Sequence, residues 1–146
     1  MDWYIKPFQN LTNDDLYALM KLRVEVFVVE QECAYPELDG YDQQAVHYFL
    51  KDDHDIAANV RILPGNTIFE EPSIGRVAVA EKFRGRGYGR EIMQKAIDYI
   101  SNQWHSSEIK IEAQEYLKGF YSELGFRQVS EPYLDDGIVH INMIWK

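Results

Sequence analysis

Residues 82 to 90 read Lys-Phe-Arg-Gly-Arg-Gly-Tyr-Gly-Arg, four cations and no acid in nine positions. Glycines 85, 87 and 89 permit positive φ and close backbone approach. Successive N–H groups can therefore converge on an anion at the N-terminus of a following helix. Arg84, Arg86 and Arg90 can add charge-assisted hydrogen bonds to phosphate around Tyr88. The chemistry favoured is the grip of a pyrophosphate; a connector with solvated arginines is the plainer alternative. A Walker-type loop fits poorly, because Arg90-Glu91 stands where Lys-Ser or Lys-Thr should follow the last glycine. A Rossmann site fits poorly too, since that fingerprint usually opens the first βαβ unit of a parallel sheet, and antiparallel strands precede this turn.

Other residues able to do chemistry are scattered. Glu112 falls on the strand face opposite Ile109 and Ile111, and His140 alternates with Ile141 and Met143, so both point away from apolar neighbours. Each is open to proton transfer or to an ordinary paired or solvated role. Arg23 lies on an apolar helical stripe and needs a carboxylate partner, because an unpaired buried charge is very costly. Cys33 has no His or Asn pattern around it that recommends a nucleophile. His47, His54, His105 and His140 show no ligand spacing, so no metal is expected.

The elements that must position these groups follow from periodicity. Trp3–Phe8 reads as a strand, and a helix capped by Thr12 or Asn13 carries Leu16, Leu19, Met20, Val24 and Phe27. Residues 28 to 45 lose periodicity and gather acids, as binding loops do. Val46–Leu50 and Ile56–Leu63 form a hairpin across Asp52-Asp53-His54-Asp55, with Ile74–Ala80 as the next strand. After the glycine turn, Ile92, Met93, Ala96, Ile97, Ile100 and Trp104 mark a helix of about four turns. Glu108–Ala113 is a strand, giving a right-handed βαβ crossover. A short helix over about Glu115–Leu124 stops at Gly125, and strands Phe126–Ser130 and Ile138–Trp145 flank an Asp135-Asp136-Gly137 turn. The expectation is a mixed α/β (α+β) fold, with a central, mostly antiparallel sheet, a parallel crossover in its middle and helices on its flanks.

The whole chain sets bounds on this. Its 146 residues suit one domain spanning 1–146, and 46% apolar with 27% charged residues is globular composition. No apolar run approaches the roughly 20 residues needed to span a bilayer, and the start lacks a signal-peptide pattern, so a cytoplasmic location away from membranes is expected. One cysteine agrees with a reducing compartment. A formal net charge of −9 argues against nucleic acid and for cationic partners. The oligomeric state stays open, a homodimer included.

With these residues in place, Arg84-x-x-Gly87-x-Gly89 after the strand Ile74–Ala80 is similar to the acetyl-CoA pyrophosphate motif of the GNAT superfamily of N-acetyltransferases. Ala113-Gln114, Leu117, Phe120-Tyr121 and Gly125-Phe126 look like its second cofactor-side motif. Leu22-Arg23, Val26-Phe27, Glu30-Gln31, Cys33, Tyr35, Asp39-Gly40, Asp136-Gly137-Ile138 and His140 resemble the ElaA-like branch, with Asp135 standing where that branch carries Glu. The resemblance implies direct acyl transfer from acetyl-CoA to an unidentified amine. In it, strand Ile74–Ala80 splays from Glu108–Ala113, and the pantetheine arm pairs with the backbone of Val77, Ala78 and Val79. Tyr121 then protonates the leaving thiolate, with a core tyrosine as its alternative. Glu112 and His140 are candidate general bases. Glu30, Asp39 and Asp136 line an acceptor pocket or simply form a solvated acidic surface. A non-catalytic acyl-CoA-binding module and a purely structural interaction domain are the competing functions.

Overall fold

The computed structural model describes residues 1–146. Strands β1 (Asp2–Pro7), β2 (Val46–Asp52), β3 (Asp55–Leu63) and β4 (Ser73–Val79) make one antiparallel sheet in that order. β5 (Ile109–Gln114), β6 (Phe126–Gln128), β7 (Tyr133–Asp135) and β8 (Ile138–Trp145) make a second. In it β5 pairs with β8 along one edge, and β6 and β7 share the other edge. Three α-helices, α1 (Asn13–Val24), α2 (Tyr88–Gln103) and α3 (Lys118–Glu123), complete the frame.

β3 is buried from Ile56 to Leu63 because a helix covers each face of its sheet. On one face, α2 directs Ile92, Met93, Ala96, Ile97 and Ile100 into a core shared with Val60 and Ile62 of the first sheet and Ile111, Ile141 and Met143 of the second. One helix thus staples both sheets, each buried aliphatic side chain being worth about 1.5–3 kcal/mol. On the other face, Leu19 and Leu22 of α1 meet Phe49, Ile56 and Ala78. Thr12 caps α1 by accepting the Asp15 N–H at 3.0 Å. The expected apolar stripe of α1 is only partly realised: Val24 is exposed, while Asp15 and Arg23 are buried with ionic partners. Beyond Val24 the chain widens into a π-helical turn over Glu25–Glu30, a distortion often found at functional sites.

The parallel crossover takes the splayed form that the resemblance implies. Instead of one continuous sheet, β4 and β5 meet near their starts through Lys110 N–H donating to the Pro72 carbonyl at 3.0 Å, and no ladder joins them further on. Their later residues line the same cavity, so the two strands diverge as they advance. β7 is also additional to the expected strands. Asp135 belongs to its ladder, and the turn is only Asp136-Gly137, both at positive φ as a two-residue hairpin loop requires. No helix is long and apolar enough to cross a membrane.

Candidate active site

The site begins with the alternation of the second sheet. Ile109, Ile111, Ala113, Ile141 and Met143 point into the core. Glu112 lies opposite Asn142 and Gln114 opposite His140, so these four share the other face, and pairing of Tyr133 with His140 and of Asp135 with Ile138 extends it onto β7. This polar face is one wall of a cavity of about 570 Å³ that opens where β4 leaves β5. Gly75–Val79 form the facing wall, Tyr121 of α3 and Arg84 contribute further edges, and the π-helical turn adds Val26, Phe27 and Glu30.

Within the cavity Glu112 stands out. Its recessed position and the hydrogen-bonded, like-charged Asp135 carboxylate push its pKa up to about 8, with Asp136 adding in the same sense and Arg76 opposing. The side chain still reaches solvent through the cavity, so it titrates with the medium. Glu112 therefore keeps its proton near neutral pH. His140 stacks on Tyr133, with ring centroids 6.3 Å apart. Its Nδ1 sits 2.8 Å from the Ile138 carbonyl, an acceptor only, so Nδ1 carries the hydrogen of that bond. One carboxylate oxygen each of Glu112 and Asp135 and one ring nitrogen of His140 all lie within 4.8 Å of one another. The histidine spacing gave no sign of a metal set; the fold assembles this trio from three strands. Tyr121 is packed against Phe120 and Phe126, and burial, with a smaller push from Tyr116, raises its phenol to about 12, so it is a protonated donor at neutral pH.

Other expected site residues are placed differently. Asp39 does not line the cavity: Arg61 holds its carboxylate at 2.8 and 2.9 Å and Arg76 at 3.2 Å, well below the usual carboxylate pKa range despite burial. It belongs to a chain of alternating charges. Arg23 bonds Glu37 and Asp42, Arg61 bonds Asp39 and Asp42, and Arg76 bonds Glu37 and Asp39. Arg23 therefore finds carboxylate partners, but Glu37 and Asp42 instead of Glu30, Asp39 or Asp136. Arg76 is the extra residue of a β-bulge in β4, at φ +52, and Asn59 satisfies its carbonyl at 3.1 Å. The network ties the irregular 31–45 segment to the bulge. Cys33 Sγ, 3.5 Å from the Asp136 carbonyl, and Gln114, donating to Gln31 at 3.3 Å, tie it to the second sheet. Arg76 and Glu37 carry no motif, the acidity of 28–45 being the one hint of Glu37, and Asp135 had stood out only as a departure from the ElaA-like pattern.

The glycine turn enters α2 directly. Gly85 and Gly87 take φ +79 and +82, Gly87 caps the helix without a side-chain bond, and the first-turn N–H groups have no intrahelical acceptor. Gly89 is not at positive φ; it lies inside that first turn beside Val79. Of the turn, only Arg84 lines the cavity. It bonds Glu30 at 2.7 Å and the Val79 carbonyl at 3.0 Å. Arg86 lies over Phe83, and Arg90 pairs with Glu123 at 2.9 Å.

A diverging β4 and β5, an N-terminal anion turn and a carboxylate–tyrosine cavity define an acyltransferase type of fold. The acetyltransferase (GNAT) domain profile matches residues 15–146, and the chain belongs to that family. Among its relatives, protein ElaA of Escherichia coli is 37% identical over 98% of this chain and 95% of its own. The crystal structure of E. coli ElaA covers both chains fully at TM-score 0.93 and 35% identity. An acyl-CoA N-acyltransferase from Pseudomonas aeruginosa aligns over 99% of both at TM-score 0.94 and 37% identity. A GNAT acetyltransferase from Elizabethkingia anophelis with acetyl-CoA bound shares the fold at TM-score 0.64 and 21% identity.

Proposed function

We propose that this protein transfers an acetyl group from acetyl-CoA to a primary amine by direct attack within a ternary complex. The observation that carries the reading is the cavity between β4 and β5, with a carboxyl of raised pKa, Glu112, on one wall and a protonated tyrosine on another.

Acetyl-CoA enters with its pyrophosphate on the Arg84–Arg90 turn, where free helix N–H groups and arginines supply anion contacts. Its phosphates compete with Glu30 for Arg84. The pantetheine arm lies along Val77, Ala78 and Val79, whose edge toward β5 has no ladder partner. The acceptor arrives as an ammonium drawn by Glu112, Asp135 and Asp136. A carboxylate of proton affinity near 8 takes its proton far better than one of ordinary acidity, with His140 Nε2 as the neighbouring alternative. The amine lone pair attacks the thioester carbonyl carbon, backbone N–H groups freed along β4 bond the oxyanion, and the C–S bond breaks. Tyr121 gives its proton to the departing thiolate, the attacking nitrogen loses its second proton as the amide forms, and the phenolate regains a proton, so that the products are an amide and CoA thiol and the enzyme is unchanged.

The test is release of CoA thiol from acetyl-CoA against a panel of primary amines. Amine-dependent release is expected. Tight CoA binding with no turnover on any amine overturns the reading in favour of a non-catalytic acyl-CoA-binding module.

A further inference from the structure

Glu112, Asp135 and His140 have a property that general-base chemistry does not require. They bring two carboxylates and an imidazole from three adjacent strands onto one rigid sheet face, with donor atoms within 4.8 Å of one another. Donors about 2.1 Å from a tetrahedral ion stand about 3.4 Å apart. The trio is therefore within about 1.4 Å of enclosing one, and both acids are exposed to the cavity, where their side chains have room to move.

The imidazole is prepared for the task. Its Nδ1 is 2.8 Å from the Ile138 carbonyl and its ring is stacked on Tyr133, so the ring is held in place and Nε2 is the nitrogen without a protein partner. A backbone carbonyl holding the far nitrogen is the usual support of a metal-bound histidine. The arginines that line the cavity are ion-paired, Arg76 with Glu37 at 2.8 Å and Asp39 at 3.2 Å and Arg84 with Glu30 at 2.7 Å, which weakens their repulsion of a cation.

We propose that Glu112, Asp135 and His140 form a binding site for a first-row divalent transition ion of the zinc type. One imidazole with two carboxylates and no thiolate suits zinc, cobalt or nickel over magnesium or calcium. The site occupies the same carboxylates that draw the amine, so ion and ammonium exclude each other and the ion inhibits transfer. That inhibition rests on the acetyltransferase reading; the binding does not.

Titration of chelator-treated wild-type chain with ZnCl2 alone, without CoA or amine, should show one site by calorimetry. E112Q, D135N and H140A should each weaken it at least about tenfold. H105A, at an exposed histidine outside the cavity, should not. Absence of a one-to-one isotherm, or unchanged affinity in both E112Q and H140A, overturns the proposal. Should a variant fail to fold, Co²⁺ with the wild type decides: intensified ligand-field bands support the site and the aquo-ion spectrum refutes it. In turnover assays zinc should raise the amine KM without lowering kcat, and zinc inhibition that excess amine does not relieve refutes the exclusion. A chain that turns over no amine overturns the acetyltransferase reading, while the ZnCl2 titration still decides the metal site.

Discussion

In the proposed reaction two residues divide the proton chemistry. Tyr121 is the donor, its half-buried setting among aromatic rings keeping its phenol protonated, and Glu112 is the acceptor beside a second carboxylate. Tyr121→Phe should lower kcat by about a hundredfold or more while leaving CoA affinity unchanged, measured by steady-state turnover and calorimetry. An unaltered kcat removes the tyrosine from the mechanism. Glu112 makes a pH-dependent prediction of definite sign. Its folded pKa lies above its unfolded one, so between about 4.5 and about 8 the folded chain holds a proton that the unfolded chain has released, and stability falls as pH rises through that window. Activity runs the opposite way, since the acceptor carboxylate is set free as pH climbs. Glu112→Gln should therefore raise Tm at pH 8.5 relative to wild type and flatten the rising limb of kcat/KM. Equal Tm differences at pH 5 and pH 8.5 would show that the retained proton is not at Glu112. Tyr121, Glu112 and His140 were readable as candidates from strand parity and motif position, and all three line one cavity. Asp135 was not, because its place beside Glu112 depends on the two-residue Asp136-Gly137 loop that sets the register of β7 on β8.

At the scale of elements, local periodicity was sufficient for α2, whose apolar stripe is the central staple, and for the alternation of β5 and β8. It failed where long-range partners override it. The buried face of α1 includes Asp15 and Arg23 because Lys6, Lys51, Glu37 and Asp42 come to meet them from distant positions. The same charges explain how a segment without regular structure keeps its shape: Glu37, Asp39 and Asp42 each bridge two arginines drawn from α1, β3 and β4. Arg23 is fully buried, so Arg23→Met leaves two carboxylates under-compensated in a dry setting. It should cost about 3–5 kcal/mol in urea denaturation. A loss below about 1 kcal/mol means that Arg61 and Arg76 take over its partners. The splay of β4 from β5 came from the resemblance, since both strands look ordinary alone, while the bulge at Arg76 is an extra residue that no alternation predicts.

At the scale of the molecule, two fields would act on the two proposed substrates in different ways. The net charge of −9 attracts a cationic amine from a distance, and Glu112, Asp135 and Asp136 attract it again at close range, so both contributions have one sign. CoA is an anion. The global charge repels it, while Arg84, Arg86 and Arg90 with the α2 N-terminus attract it locally, so its contributions oppose. Salt weakens long-range terms first, because the screening length falls from about 10 Å at 0.1 M to about 3 Å at 1 M. Raising ionic strength from about 0.05 to about 0.5 M should therefore lower kcat/KM for the amine more steeply than it lowers CoA affinity, with the CoA curve shallow as repulsion and attraction are screened together. The comparison needs a neutral salt, amine kinetics at saturating acetyl-CoA and calorimetry for CoA. A CoA affinity that falls faster than the amine term would mean that the arginine turn dominates the field at both sites. The acidic wall would then steer nothing, and the cationic character assigned to the acceptor would lose its physical basis.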